Sequence, residues 1–151
     1  MAKIQDAEAI TALINSAFRK AESFFIDGDR IDAAAIRTLM EKGQFLLAEE
    51  NGALAGCVYV EQRGERAYLG LLSVDPTLQR TGIGSALMNA AENHCSKIGC
   101  RFMDLRIVNL REENHAFYSR RGYVETGTEP FPSDLTPKLP CHFVNMSKSL
   151  R

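Results

Sequence analysis

The chain has 151 residues, of which 45% are hydrophobic and 25% charged, the make-up of about one globular domain rather than a disordered segment. Eighteen Lys and Arg against nineteen Asp and Glu leave a net charge of −1, which disfavours a nucleic-acid binder working through a bulk basic surface. No run of apolar residues is long enough for a transmembrane helix, and the charges within Met1–Ile10 argue against a signal peptide, so no membrane partner is expected and the predicted setting is cytoplasmic. The cysteines at 57, 95, 100 and 141 form no Cys-x-x-Cys pair and have no His at zinc-ligand spacing, so reduced, packed thiols and no metal are expected.

Taken in chain order, Asp6 to Lys20 reads as a helix, because Ile10, Leu13, Ile14, Ala17 and Phe18 recur every three to four residues and Asp6 can cap its start. Phe24 to Arg30 is loop-like around Asp27-Gly28-Asp29, and a second helix from Ile31 to Lys42 ends at Gly43. Phe45–Glu49 and Leu54–Glu61 read as a hairpin about Asn51-Gly52. After a turn at Gly64, Tyr68–Val74 has almost no polar residues and reads as a central strand buried on both faces. A helix from Ser85 to Ile98, a strand from Phe102 to Val108, a short helix from Arg111 to Arg120 and a strand from Tyr123 to Thr126 follow. Gly127 to Pro140 reads as a long loop, stiffened by prolines, ahead of a last strand from Cys141 to Lys148. The order predicts an α/β (α+β) fold, a mixed central sheet with helices on both faces.

Chemistry concentrates where the central strand stops at Asp75-Pro76 and small residues open the next helix. The first-turn amides of a helix have no partner within it and the helix dipole is positive there, while glycines let phosphate oxygens approach the backbone. Gln79, Arg80, Thr81, Gly82, Ile83, Gly84 and Ser85 therefore form a candidate diphosphate cradle, with Arg80 as an added cation. The pattern is neither G-x-G-x-x-G, since Leu87 stands at the third glycine position, nor a P-loop, since no Gly-Lys-Ser/Thr follows. A second element, Asn114-His115-Ala116-Phe117-Tyr118-Ser119-Arg120-Arg121-Gly122-Tyr123, places an aromatic pair on the short helix; a buried phenol at Tyr118 would need a partner.

Together these two elements resemble the GNAT superfamily of acyl-CoA-dependent N-acetyltransferases. Gln79-Arg80-Thr81-Gly82-Ile83-Gly84 matches that family's Gln/Arg-x-x-Gly-x-Gly/Ala loop, and Phe117-Tyr118 followed by Gly122-Tyr123 matches its later Phe-Tyr and Gly-Phe/Tyr pair, one helix and one strand away. The resemblance runs from about Asp6 to Leu150, which treats 1–151 as a single domain. Two features depart from the pattern. Met1 to Gln5 leaves room for only a stub of the usual first strand, and Arg111 stands where an Asn often precedes the family tyrosine by seven residues.

The resemblance implies acetyl-CoA as cosubstrate, held in a splay between Tyr68–Val74 and Phe102–Val108, with Leu72, Ser73 and Val74 offering backbone to pantetheine and the Gln79–Ser85 loop taking the diphosphate. It implies direct transfer of the acetyl group to a primary amine, on a small molecule or a protein, with Tyr118 as proton donor to the departing sulfur. The strand Tyr68–Val74 has no acid at the place where some relatives carry a basic Glu, so Glu61, at the end of the adjacent strand, is the candidate base or amine anchor. His94, His115 and His142 are expected to be bystanders. Many relatives form homodimers, and the resemblance extends that expectation here. The competing reading is a non-catalytic acyl-CoA-binding or sensor module, whose mark would be a cradle without a competent Tyr118 and Glu61.

Overall fold

Hydrophobic periodicity becomes a packed face in the first helix. The computed structural model describes residues 2–22, 31–78, 81–131 and 139–150. In α1 (Ala7–Glu22), Ile10, Leu13, Ile14 and Ala17 are all buried, and fully burying a side chain such as Ile10 or Ile14 stabilises the fold by roughly 1.5–3 kcal/mol. Asp6 does not cap this helix. It lies in a short 3₁₀ turn, Ile4–Asp6, and its carboxylate accepts the Lys3 amide at 2.7 Å. The stub before it adds one rung to the sheet edge, the Ala2 amide donating to the Phe45 carbonyl at 2.9 Å. Asn15, buried in α1, fixes the chain's re-entry before the second helix: its Nδ2 donates to the Ile31 carbonyl at 2.7 Å and its Oδ1 accepts the Ile31 amide at 2.9 Å. The second helix, α2 (Ala33–Lys42), starts later than Ile31 because the Asp32 carboxylate caps it, accepting the Ala35 amide at 2.8 Å.

Six strands follow: β1 (Gln44–Glu50), β2 (Ala53–Arg63), β3 (Arg66–Val74), β4 (Phe102–Val108), β5 (Val124–Pro130) and β6 (His142–Ser149). They form one mixed sheet in the order β1-β2-β3-β4-β6-β5, antiparallel except where β3 meets β4. Asn51 and Gly52, both at positive φ, close the first hairpin, and Gly64 at φ +68° closes the second. Alternation along β2 shares its side chains between two cores. Cys57 and Tyr59 pack with α1 and α2 on one face, together with Phe45 and Ile36. Val58 and Val60 pack on the other face with Leu87 and Met88 of α3 (Ile83–Lys97) and with Tyr118 of α4 (Glu112–Arg120). Helices therefore cover both faces, as the element order predicts.

Two expectations need correction. The fifth strand runs on to Pro130, so Gly127–Pro130 is strand rather than loop, paired with His142–Asn145 across a bulge after Glu125. All seven of its residues are exposed, and the pairing is imposed by β6 rather than by any apolar alternation. The strand Tyr68–Val74 is not buried on both faces: Leu69 and Ser73 are buried, while the residues between and around them are only half-buried. The cause is the sheet's one parallel seam. The two strands pair only at Arg66↔Phe102, Ala67↔Met103 and Tyr68↔Asp104, and beyond Tyr68 they part.

Candidate active site

The parting of β3 and β4 begins with a bulge. Tyr59 pairs with Gly70 and Cys57 with Ser73, so Leu71 and Leu72 together oppose Val58. Leu71 takes φ +56°, a left-handed conformation that costs a non-glycine residue about 1–3 kcal/mol. The bulge bends β3 away from β4, which stays zipped to β6 over its whole length. The base of the fork is tied by Arg66, whose Nε and Nη2 each donate to Asp104 at 2.7 Å, and by the Arg101 amide on the Glu65 carbonyl at 2.6 Å. Past the fork, the backbone of β3 has lost its partner on one edge. The Asp75 amide reaches back to Ala55 on β2 at 2.8 Å, so strand alternation turns the amide and carbonyl of Val74 into the opening. Ser73 is buried, its Oγ donating to the Leu71 carbonyl at 3.0 Å, while Leu72 lines the opening.

At the far end of β3 the chain enters α3 through Gly82, its N-cap, at φ +89°. No side chain caps this helix, and the amides of Ile83, Gly84 and Ser85 have no acceptor among the described residues. A Cβ on Gly82 would meet nothing within 4 Å, and one on Gly84 would only graze Val74 and Phe117, so the surface above these amides is open. Thr81 turns its hydroxyl back onto the Leu78 carbonyl at 2.5 Å. Gln79 and Arg80 lie outside the described residues.

The opening widens into a cavity of about 720 Å³, which Leu72, Glu61 and Tyr118 all line; Ser73, Val74 and Thr81–Ser85 do not line it. Tyr118 is buried on α4, edge-on to Phe117 at 5.1 Å and to Tyr123 at 5.7 Å between ring centroids. Its hydroxyl makes no hydrogen bond among the described residues and faces the cavity. Burial pushes its pKa up to about 12, against a smaller opposing pull from the Arg111 charge.

Glu61 comes from the end of β2, with a side chain only 13% exposed. Its Oε1 accepts from the Tyr59 hydroxyl at 2.7 Å and its Oε2 from Arg63 Nε at 2.5 Å. Those two bonds, Arg63 first, hold its pKa below the usual carboxylate range. Glu61 is thus an ionised, two-handed acceptor with lone pairs to spare, better suited to hold an ammonium or a water than to pull a proton unaided. Tyr59, Glu61 and Arg63 share one strand face. The sequence reading singled out Glu61 and missed the other two, although the i, i+2 spacing of polar side chains at a strand end was there to be read. It also gave no role to Arg111 and Asn114, which both line the cavity, with Arg111 Nη2 donating to Asn114 Oδ1 at 3.4 Å.

The histidines take other roles: His115 Nε2 lies 2.7 Å from Glu125, and none of the three lines the cavity. Cys57, Cys95 and Cys100 are free and buried, and burial raises each thiol, Cys57 to about 12, so none is an activated nucleophile. Among the described residues no group of His, Cys, Asp or Glu is placed to hold a metal, and no helix is long and apolar enough to cross a membrane.

A forked parallel seam, a helix start with unspent amides and a phenol lining the cavity are thus all present on this sheet and the helices that follow it. The chain belongs to the acetyltransferase (GNAT) family, whose model matches residues 7–123. It is 29% identical over 79 residues to the uncharacterized protein YdhI of Bacillus subtilis (strain 168), a match covering 52% of this chain and 48% of that one, so it spans about half the length of that relative. Among solved structures it superposes on Ard1 from Thermoplasma volcanium with a TM-score of 0.81 at 21% identity, covering 98% of this chain and 93% of that one. The PaiA N-acetyltransferase from Thermoplasma acidophilum, solved in complex with coenzyme A, aligns with a TM-score of 0.73 at 16% identity over 98% of this chain and 95% of that one.

Proposed function

We propose that the protein moves an acetyl group from acetyl-CoA to a primary amine by direct transfer, in the cytoplasm. The observation that carries this reading is the meeting of an unpartnered phenol, Tyr118, and an ionised carboxylate, Glu61, on one cavity at the mouth of the forked strands. The residues fit the cosubstrate by their own unmet needs: the free edge of β3 at Leu72 and Val74 for pantetheine amides, and the orphan amides of Ile83, Gly84 and Ser85 at a positive helix start for a diphosphate. Thr81 and Gly82 complete that cradle, and the Ser73 hydroxyl holds the Leu71 carbonyl at the bulge.

Acetyl-CoA supplies the activated thioester; the chain supplies position and protons. Glu61 holds the acceptor's ammonium with the lone pairs that Tyr59 and Arg63 leave open, and orients the water that takes its proton, because a neutral amine is needed for attack. Tyr118, protonated at any pH below about 12, gives its proton to the sulfur as the carbon–sulfur bond breaks. The raised thiols of Cys57, Cys95 and Cys100 favour direct transfer over an acyl-cysteine route.

The test is thiol release from acetyl-CoA across a panel of amines, with calorimetry of acetyl-CoA binding alongside. Amine-dependent thiol release supports the transferase. Tight binding with no release for any amine identifies a binding module. Light scattering on the same sample tests the homodimer carried over from the family.

A further inference from the structure

The charges around the cavity differ in how fully they are already engaged. Its lining holds four arginines, Arg63, Arg66, Arg106 and Arg111, against three acids, Glu61, Asp104 and Glu129, and no lysine. The chain as a whole carries one negative charge, so this excess of positive charge is local. Each acid is compensated. Glu61 accepts from Arg63 and Tyr59, Asp104 from both arms of Arg66 and from Ser147, and Glu129 from Arg106 and Asn145.

The arginines are not equally spent. Arg66 has committed Nε and Nη2, and Arg111 binds Glu113 and Asn114. Arg106 has committed only Nη1, to Glu129, and Arg63 only Nε; the two Nη groups of Arg63 make no hydrogen bond among the described residues, its side chain is 59% exposed, and of the two it is Arg63 that touches Glu61. The guanidinium lies over the Tyr68 ring at 4.6 Å, which fixes its plane while leaving the Nη edge free.

We propose that the amine acceptor also carries an anion, a carboxylate or phosphonate a few bonds from the amine, with the anion on the Nη fork of Arg63 and the ammonium on Glu61 beside it. This rests on the acetyl-transfer reading above. The 2.5 Å contact between Arg63 Nε and Glu61 Oε2 makes the free Nη groups and the free carboxylate lone pairs neighbours, the spacing of a zwitterion such as an amino acid. A polyamine has no anion for Arg63, and its further ammonium groups meet a lining of four arginines against three acids.

The experiment measures kcat and KM by thiol release at saturating acetyl-CoA for matched pairs: amino acids against their carboxamides, aminoalkyl phosphonates against the alkylamines lacking the phosphonate, and a polyamine. The expected result is a kcat/KM at least tenfold higher for the anionic member, carried by KM. The carboxamide's less basic amine biases that comparison against the proposal. Arg63→Gln brings the anionic-to-neutral ratio to within twofold of unity, and Arg63→Lys restores part of it. Whichever of the carboxylate and phosphonate arms is preferred names the anion. Neutral amines or the polyamine used as well as the anionic ones, or a ratio that survives Arg63→Gln, overturns the proposal and leaves acetyl transfer standing. No thiol from any amine, with acetyl-CoA still bound, overturns both.

Discussion

Replacing Tyr118 by Phe removes one oxygen and tests two consequences of the same geometry. The Tyr118 ring is buried on α4, while its hydroxyl, with no hydrogen-bond partner among the described residues, opens onto the cavity rather than onto packed side chains. Water in the cavity meets that oxygen, so removing it relieves no buried, unsatisfied group. The ring contacts with Phe117 and Tyr123 involve only the aromatic system and survive the change. Tyr118→Phe is therefore expected to leave the stability of the ligand-free protein within about 0.5 kcal/mol, or roughly 1–2 °C in Tm for a chain of this size. If the hydroxyl is the proton donor, kcat falls by about 10²–10⁴-fold, while acetyl-CoA affinity stays within a few-fold. Thermal denaturation of the ligand-free protein, steady-state thiol release and calorimetry read the three quantities separately. A kcat within twofold of the parent assigns the phenol to packing. A lowered Tm means the hydroxyl holds the fold through a bond this geometry does not contain.

Glu61→Gln keeps the Tyr59 contact but removes the charge; kcat/KM is expected to fall at least tenfold with acetyl-CoA affinity unchanged, and an overlaid pH–rate profile would reject the role. Because its pKa is lowered, Glu61 stays ionised at neutral pH, and the parent profile should show no acid limb from it above about pH 4.3. Gly82→Val puts a β-branched side chain at φ +89° but into open space, so the fold survives at a cost of about 1–3 kcal/mol, and calorimetry should show acetyl-CoA affinity reduced at least tenfold. Glu92→Ala strips the partly buried acid that accepts from Tyr123 and Lys148, both at 2.9 Å, and should destabilise by about 1–3 kcal/mol in urea melts. Burial, and next the Glu92 charge, raise the Tyr123 pKa. The stability this proton contributes is present below the ordinary tyrosine pKa near 10 and is lost as pH climbs past it. Urea melts across that range should show stability falling, and less steeply once Glu92 is removed.

The turn into α3 was legible because glycine at a strand-to-helix turn answers a local steric demand, although the helix begins at Ile83 and not at the expected Ser85, and α1 was legible because its apolar residues fix one face. The splay between the two strands was expected from the family resemblance, but no residue of its own announces the bulge that opens it. Leu71 and Leu72 look like ordinary strand residues, and it is the packing of β2 on one side and of β6 against β4 on the other that forces Leu71 into a left-handed backbone. Pro130, which ends β5, and Gly127 within it read as loop because an exposed edge strand carries no alternation to betray it. Glu61 was found by strand order, yet its character depends on Tyr59 and Arg63; alternation puts all three on one face, but only the structure shows that both neighbours donate to its carboxylate.

With three backbone pairs joining β3 to β4, the six strands amount to two half-sheets, β1-β2-β3 and β4-β6-β5, stitched at one end. Within each half the ladders are long, so each is a cooperative unit in its own right. Of the five strand junctions in the sheet, the seam between them has the fewest paired residues. Amides on either side of it should exchange with solvent as two separate populations, coupled mainly through α3 and the core beneath. A ligand whose amides occupy the free edge of β3 would supply the missing rungs, and hydrogen exchange would then register it as the merging of two unfolding units into one.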